Sequence, residues 1–355
     1  MTLLEVDDAR RRILAGVDPT PPEDVALAEA AGRTLASAVV ATRSQPPFAA
    51  SAMDGYAVRT ADARAGARLR LAGESTAGRR YGGIVGSREA VRIFTGAPVP
   101  AGSDAILIQE NADAEGSMIV VREPPAAGRF IRPEGLDFPA GAILLDPGRR
   151  LGARELALAA AANAVILSVR RRPLVAVLSI GDELVPPGGA PGPDQIIGSS
   201  ASGVVAIVAA AGATAIDLGV APDRPEAVIA AAQRADAAGA DVLVTLGGVS
   251  VGDYDVVRPA LASAGMTLDF WRIAMRPGRP MLSGALGRMR VLGLPGNPVS
   301  TLVCALLFLQ PLIAALLGEA QVDATEAAVT GAPLAPNDGR QDYLRATLRP
   351  QAGGL

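Results

Sequence analysis

The sequence contains no histidine and no lysine, so all of its 33 basic residues are arginine. Without histidine there is no Ser-His-Asp triad, no Cys-His pair and no histidine metal site. Without lysine there is no Walker-type lysine, no Schiff base and no lysine general base. The single cysteine, Cys304, excludes an intrachain disulfide and a cysteine zinc cluster, and its apolar neighbours point to a small buried side chain. Aromatic residues make up only 3% of the chain, which leaves little for base stacking or carbohydrate platforms. A net charge of -3 argues against a chain-wide surface for nucleic acid or anionic lipid. The N-terminus has acids and a run of arginines but no apolar h-region, so it does not read as a signal peptide. The most apolar stretch, 301–317, falls short of the roughly 20 residues of a membrane span and carries Gln310 and Pro311 near its middle. It reads as a buried helix, and the protein as cytoplasmic, with neither nucleic acid nor membrane as a partner. Chemistry here must run on carboxylates, hydroxyls, backbone amides, arginines and bound metal.

What is present is enough for a large core: 355 residues, 50% hydrophobic and 19% charged. At about 150 residues per unit this is two or three folding units. Residues 1–40 read as helical, from the spacing of Val6, Ala9, Ile13 and Leu14 and from the alanine-rich run 25–39. Short apolar runs punctuated by glycine and proline follow to about residue 141, a pattern of closely spaced strands. Helical character returns at 153–162. From 173 onward, apolar strands (173–180, 213–218, 241–246, 267–273, 289–294) alternate with helices (199–211, 225–238, 254–264, 298–317). That alternation predicts a mostly parallel sheet covered on both faces. Beyond about 322, proline-rich text and alternating Tyr343, Arg345 and Thr347 read as the start of a further small β unit, incomplete at Leu355.

In such a sheet, ligands bind beyond the carboxyl ends of the strands. Three strands end in loops rich in glycine, proline and acids. The first carries Gly181, Asp182 and Glu183, two acids that loop position alone explains as solvated. The second carries Gly247, Gly248, Ser250, Asp253 and Asp255. It reads either as a tight turn with an aspartate helix cap, or as an anion cradle of bare amides whose nearby carboxylates call for magnesium. The third carries Pro295, Gly296, Asn297, Pro298 and Ser300 ahead of the long helix, either a plain helix start or a second amide-lined wall. Arg276 and Arg279 flank Pro277 and Gly278 and suit bidentate capture of an anion, although with 33 arginines a solvated pair is equally open. Asp223, with Glu226 three residues on, reads as a capping box. Asp54 and Thr95 are polar groups in the strand-rich region that can face a cleft.

The segments SAMDGYAV (51–58), IFTGAPVPAGSDA (93–105), RPLVAVLSIGDELV (172–185), TLGGVSVGDYDVV (245–257), RIAMRPGRP (272–280) and GLPGNPVSTLV (293–303) together resemble the molybdopterin molybdenumtransferase family, to which the C-terminal part of gephyrin also belongs. The resemblance covers residues 1 to about 322. It implies a multidomain α/β plus β architecture: a discontinuous helical linker (1–40 and 142–172), an inserted β-rich domain (41–141), a three-layer α/β domain (173–322) and a C-terminal β domain begun at 323–355. It also implies insertion of molybdenum from molybdate into adenylylated molybdopterin with release of AMP, dependent on Mg²⁺. Asp182, Glu183, Asp253 and Asp255 are implied around metal and phosphate. Gly247, Gly248, Ser250, Pro295, Gly296, Asn297 and Ser300 are implied in the nucleotide and pterin pocket. Catalytic roles fall to Asp54, Thr95, Asp182, Glu183, Asp255, Arg276 and Arg279, with Asp54 and Thr95 supplied by the second subunit of a homodimer. Molybdopterin adenylyltransferase and molybdoenzyme delivery proteins are the implied partners. The chain departs from the family pattern at Arg276 and Arg279, where lysine is usual, and at Gly198 and Ser200, which replace potentially ligating side chains. The rival readings are the adenylyltransferase itself and a catalytically impaired molybdopterin-binding scaffold.

Overall fold

The computed structural model describes residues 3–249, 255–320 and 325–349. Strands of four residues or more are numbered in chain order: β1 Pro22–Ala26, β2 Gly55–Val58, β3 Arg68–Ser75, β4 Glu89–Ile93, β5 Ala105–Ile108, β6 Ala112–Glu115 and β7 Met118–Val121, then β8 Ile166–Arg170, β9 Leu174–Ile180, β10 Thr214–Ala221, β11 Val242–Leu246, β12 Thr267–Phe270, β13 Leu282–Leu286 and β14 Met289–Leu294. The helices are α1 Val6–Leu14, α2 Ala153–Ala161, α3 Ser200–Ala210, α4 Pro225–Ala237, α5 Val257–Ser263 and α6 Pro298–Leu316.

The site is positioned by a six-stranded sheet of order β10-β9-β11-β14-β13-β12. Its first four strands run parallel, while β13 and β12 add antiparallel pairs at one edge. The central strands β9 and β11 are buried almost throughout, as continuous Val/Leu runs require when helices cover both faces. One face packs α3 and α6 through Val204, Val208, Phe308, Leu312 and Ile313. The other packs α4 and α5 through Val228, Ala231, Ala235 and Leu261. Each such aliphatic or aromatic side chain contributes about 1.5–3 kcal/mol by leaving water.

α6 combines length and apolar composition sufficient to cross a bilayer, so its length does not settle what it is. Its packing does: Thr301, Cys304, Ala305, Phe308 and Leu309 are fully buried in the protein core. Pro311 lacks the N–H an α-helix needs, and the helix widens into a π-turn at Ala305–Leu309 just before it.

A second six-stranded sheet, β5-β2-β4-β3-β7-β6, accounts for the strand-rich region. It is mixed, with β3 and β4 parallel and the other pairs antiparallel.

The alanine-rich run 25–39 is not helical. Its first two residues, Val25 and Ala26, end β1, which pairs antiparallel with β8 from Pro22↔Arg170 to Ala26↔Ile166, and Leu27–Glu29 makes a single 3₁₀ turn. Val25 and Leu27 pack on a cluster built around Leu35, Leu151 and Val169, so tertiary pairing overrides alanine's helix propensity. The alternation at Tyr343, Arg345 and Thr347 likewise gives no strand. Among the described residues of this stretch only Gln341–Asp342 pairs, parallel to Met275–Arg276. β13, unread in the sequence because Gly284 and Gly287 disguise it, completes the sheet edge as a hairpin with β14.

Candidate functional site

A cavity of about 470 Å³ opens at the carboxyl ends of β9, β11 and β14, where the topology of an open α/β sheet places ligands. Gly181, Glu183 and Leu184 form one wall, Gly247, Gly248 and Val249 the second, and Pro295, Gly296, Asn297 and Ser300 the third. The three loops singled out in the sequence therefore converge on one hollow.

Close approach explains the glycines. Gly247 has φ +89°, and a Cβ there would lie 2.6 Å from the Ile180 carbonyl oxygen. A Cβ at Gly296 would come 3.4 Å from the Gly247 Cα. Two backbones pass side by side here, and any side chain at Gly247 would force them apart.

Asn297 caps α6: its Oδ1 accepts from Val299 N at 3.0 Å and from Ser300 N at 3.3 Å. Thr301 Oγ1 donates to the carbonyls of Pro295 and Asn297 at 2.6 and 2.9 Å. The first-turn amides of α6 are thus largely satisfied internally, and this loop serves as a rigid wall more than as an amide cradle. At α3, by contrast, Ser199 makes no capping bond, and Ser199 and Ser200 both line the cavity. The departures at Gly198 and Ser200 consequently fall on the cavity wall itself.

Asp223 does not form the expected capping box. Arg224 is the N-cap of α4 and no side chain caps it. Asp223 instead lines the cavity, and its Oδ2 accepts from Asp182 N at 3.2 Å while Asp182 Oδ1 accepts from Asp223 N at 3.3 Å. This reciprocal clasp ties the loop after β9 to the loop after β10. The sequence signal was there, since Asp223 follows a strand of the same sheet, but local spacing suggested a cap. Ile196 and Ile197, also unread, add an exposed apolar rim.

The remaining acids and arginines sit elsewhere. Asp255 is buried, with Oδ2 3.0 Å from Arg258 Nε and Oδ1 accepting from Arg258 N at 3.2 Å. It is not among the cavity-lining residues. Ser250 and Asp253 lie outside the described residues. Arg276 pairs with Asp342 at 2.5 Å, and Arg279 is exposed beside the cavity-lining Pro280. In the other sheet, Asp54 Oδ1 accepts from Thr95 N at 2.7 Å and Thr95 Oγ1 at 2.8 Å. The Thr95 backbone bond, then its hydroxyl and the Arg92 charge, hold the Asp54 carboxyl below its usual range. Asp54 and Thr95 are brought together, but neither lines the cavity.

The cavity's charge balance is informative. Among the described residues its charged lining side chains are Glu183 and Asp223, both acidic, and no arginine lines it. Among the described residues no group of three or more acid, histidine or cysteine side chains forms a ready metal cage. Glu183 and Asp223 present hard carboxylate oxygens, the donor type that magnesium takes.

Two family descriptions match the chain: "MoeA N-terminal region (domain I and II)" over residues 4–163 and "Probable molybdopterin binding domain" over 176–315. The molybdopterin molybdenumtransferase of Haemophilus influenzae is 39% identical over 90% of this chain and 79% of its own length. Molybdopterin molybdenumtransferase 2 of Mycobacterium tuberculosis is 36% identical over 94% of this chain and 84% of its own. A crystal structure of the molybdopterin biosynthesis MoeA protein from Pyrococcus horikosii superimposes with a TM-score of 0.80 at 30% identity, covering 89% of this chain and 81% of that one. The fold is MoeA-like, with mixed sheets. The chain belongs to the molybdopterin molybdenumtransferase family.

Proposed function

We propose that the chain inserts molybdenum from molybdate into adenylylated molybdopterin and releases AMP, as a transferase of molybdenum cofactor biosynthesis. The observation that carries this reading is the meeting of Glu183, Asp223, Gly247, Gly248 and Asn297 around one hollow at the sheet's carboxyl edge. Water adds to one phosphorus of the anhydride linking AMP to the pterin phosphate as the bridging P–O bond breaks, so AMP departs and the pterin keeps its phosphate, while Mo–O bonds of molybdate give way to bonds to the pterin and the displaced oxygen leaves as water. The glycine walls let the phosphates approach the backbone, and the uncapped first turn of α3 offers amide donors. Glu183 and Asp223 are the residues that would hold magnesium in this cavity. The ion would supply positive charge to offset the phosphate charge that the acidic lining repels. The apolar rim of Ile196, Ile197 and Leu184 covers the flat pterin.

In this reading Asp54 and Thr95 reach the cavity from the second subunit of a homodimer, and Arg276 and Arg279 flank the approach of anions. Exposed apolar side chains at Val299, Leu302 and Leu306, spaced along one face of α6, support a second copy docking there. The domain layout inferred from the sequence, a cytoplasmic setting, and exchange with molybdopterin adenylyltransferase and delivery proteins complete the proposal.

The test supplies two substrates separately. Adenylylated molybdopterin with molybdate and Mg²⁺ should yield AMP and molybdenum cofactor, whereas free molybdopterin with ATP should yield no adenylylated product. Adenylylation from ATP would instead identify an adenylyltransferase, and pterin binding without AMP a carrier.

A further inference from the structure

Next to the glycine wall stands a cluster, Asp255, Arg258, Trp271 and Arg272, whose members are not among the described cavity-lining residues. Trp271, just past the edge strand β12, packs against two guanidiniums, with Arg258 at 4.1 Å and Arg272 at 4.0 Å from its ring centroid. Arg258 also pairs with Asp255, whose side chain is only 3% exposed. Asp255 sits at the entry to α5, where Val256 N and Val257 N both donate to the Gly248 carbonyl at 3.2 Å. A Cβ at Gly248 would lie 2.8 Å from Val257 Cγ2, so the start of α5 is packed directly against the cavity wall. Trp271 leans on the same core cluster as Val249, Val256, Val257 and Leu261.

We propose that Arg258 and Trp271 are positioning residues. Their stack fixes Asp255 and the first turn of α5, and through it the backbone of Gly247, Gly248 and Val249 that receives the substrate phosphates. The guanidinium is suited to this double duty, since its edge meets a carboxylate while its face covers an indole. Asp255 then acts from beside the wall, through Arg258. The inference rests on the cavity being the substrate site, and its test is arranged so that the two can fail separately.

Arg258→Ala and Trp271→Ala, together with Trp271→Phe, which keeps an aromatic face, are compared with the parent chain by amide hydrogen exchange without ligand. Both alanine variants should accelerate exchange at Gly248 and Val249 by about tenfold while leaving β9 unchanged, and Trp271→Phe should stay within about threefold of the parent. Trp271 is the only tryptophan in the chain, so its emission reports the stack directly and should shift to the red in Arg258→Ala. In turnover, Arg258→Ala should raise KM for adenylylated molybdopterin about tenfold and change kcat by less than about threefold, the mark of lost binding that is uniform along the reaction. Unchanged loop exchange in a folded Arg258→Ala, or acceleration spread evenly over the sheet, overturns the proposal. Should Trp271→Ala not fold, Arg258→Gln decides the matter by the same exchange readout. Local acceleration in variants of a parent chain that releases no AMP would leave the positioning role standing and remove the substrate assignment. An active parent with unaltered loops would do the reverse.

Discussion

Single residues carry sharply different burdens around the cavity. Gly247 combines a positive φ with a carbonyl 2.6 Å from where a Cβ would stand. Gly247→Ala should therefore cost about 1–3 kcal/mol of stability in denaturant titration, and AMP release should fall well beyond what that loss explains. An alanine variant with parental activity would contradict the close-approach argument. Cys304 marks the opposite case. Burial pushes its thiol up to about 12, so native protein at pH 8 should resist iodoacetamide and react only after unfolding. Asp54 is governed by Thr95. Because its folded pKa is depressed, chiefly by the Thr95 backbone N–H, its contribution is present above the ordinary carboxylate value and lost as pH falls through the lower folded one. Thr95→Val removes the hydroxyl and keeps the N–H. The Asp54 carboxyl, followed by NMR, should therefore move up without reaching its ordinary value.

At the scale of elements, the start of α6 rests on one side chain. Asn297→Ala deletes the cap shared by Val299 N and Ser300 N and should cost about 1 kcal/mol in thermal or chemical unfolding. The same comparison separates what was legible in the sequence from what was not. The parallel strands β9, β11 and β14 read clearly because both faces are buried and their apolar runs are unbroken. The loops after them read clearly because glycine, proline and acids cluster where a strand stops. The run 25–39 misled because alanine favours helix locally, whereas β1 forms only through a partner, β8, some 140 residues further along the chain. Asp223 misled for a related reason: local spacing gave a cap, while its actual partner is the Asp182 amide on another loop. For Asp255, spacing could not tell a carboxylate facing the hollow from one turned toward Arg258.

Across the whole molecule, the cavity's acidic lining and the distance in sequence between its walls tie function to assembly of the complete α/β sheet and, in the proposed dimer, to a second copy. Leu302→Glu with Leu306→Glu should shift the mass seen by light scattering from dimer to monomer while leaving the far-ultraviolet circular dichroism unchanged. A dimer that survives both charges would place the interface elsewhere. The account stands or falls on occupancy of the hollow. A crystal structure of the chain with adenylylated molybdopterin and Mg²⁺ should place the phosphates against Gly247 and Gly248, with the ion between them and Glu183 or Asp223. Ligand density on any other face, with this cavity filled only by water, would contradict it.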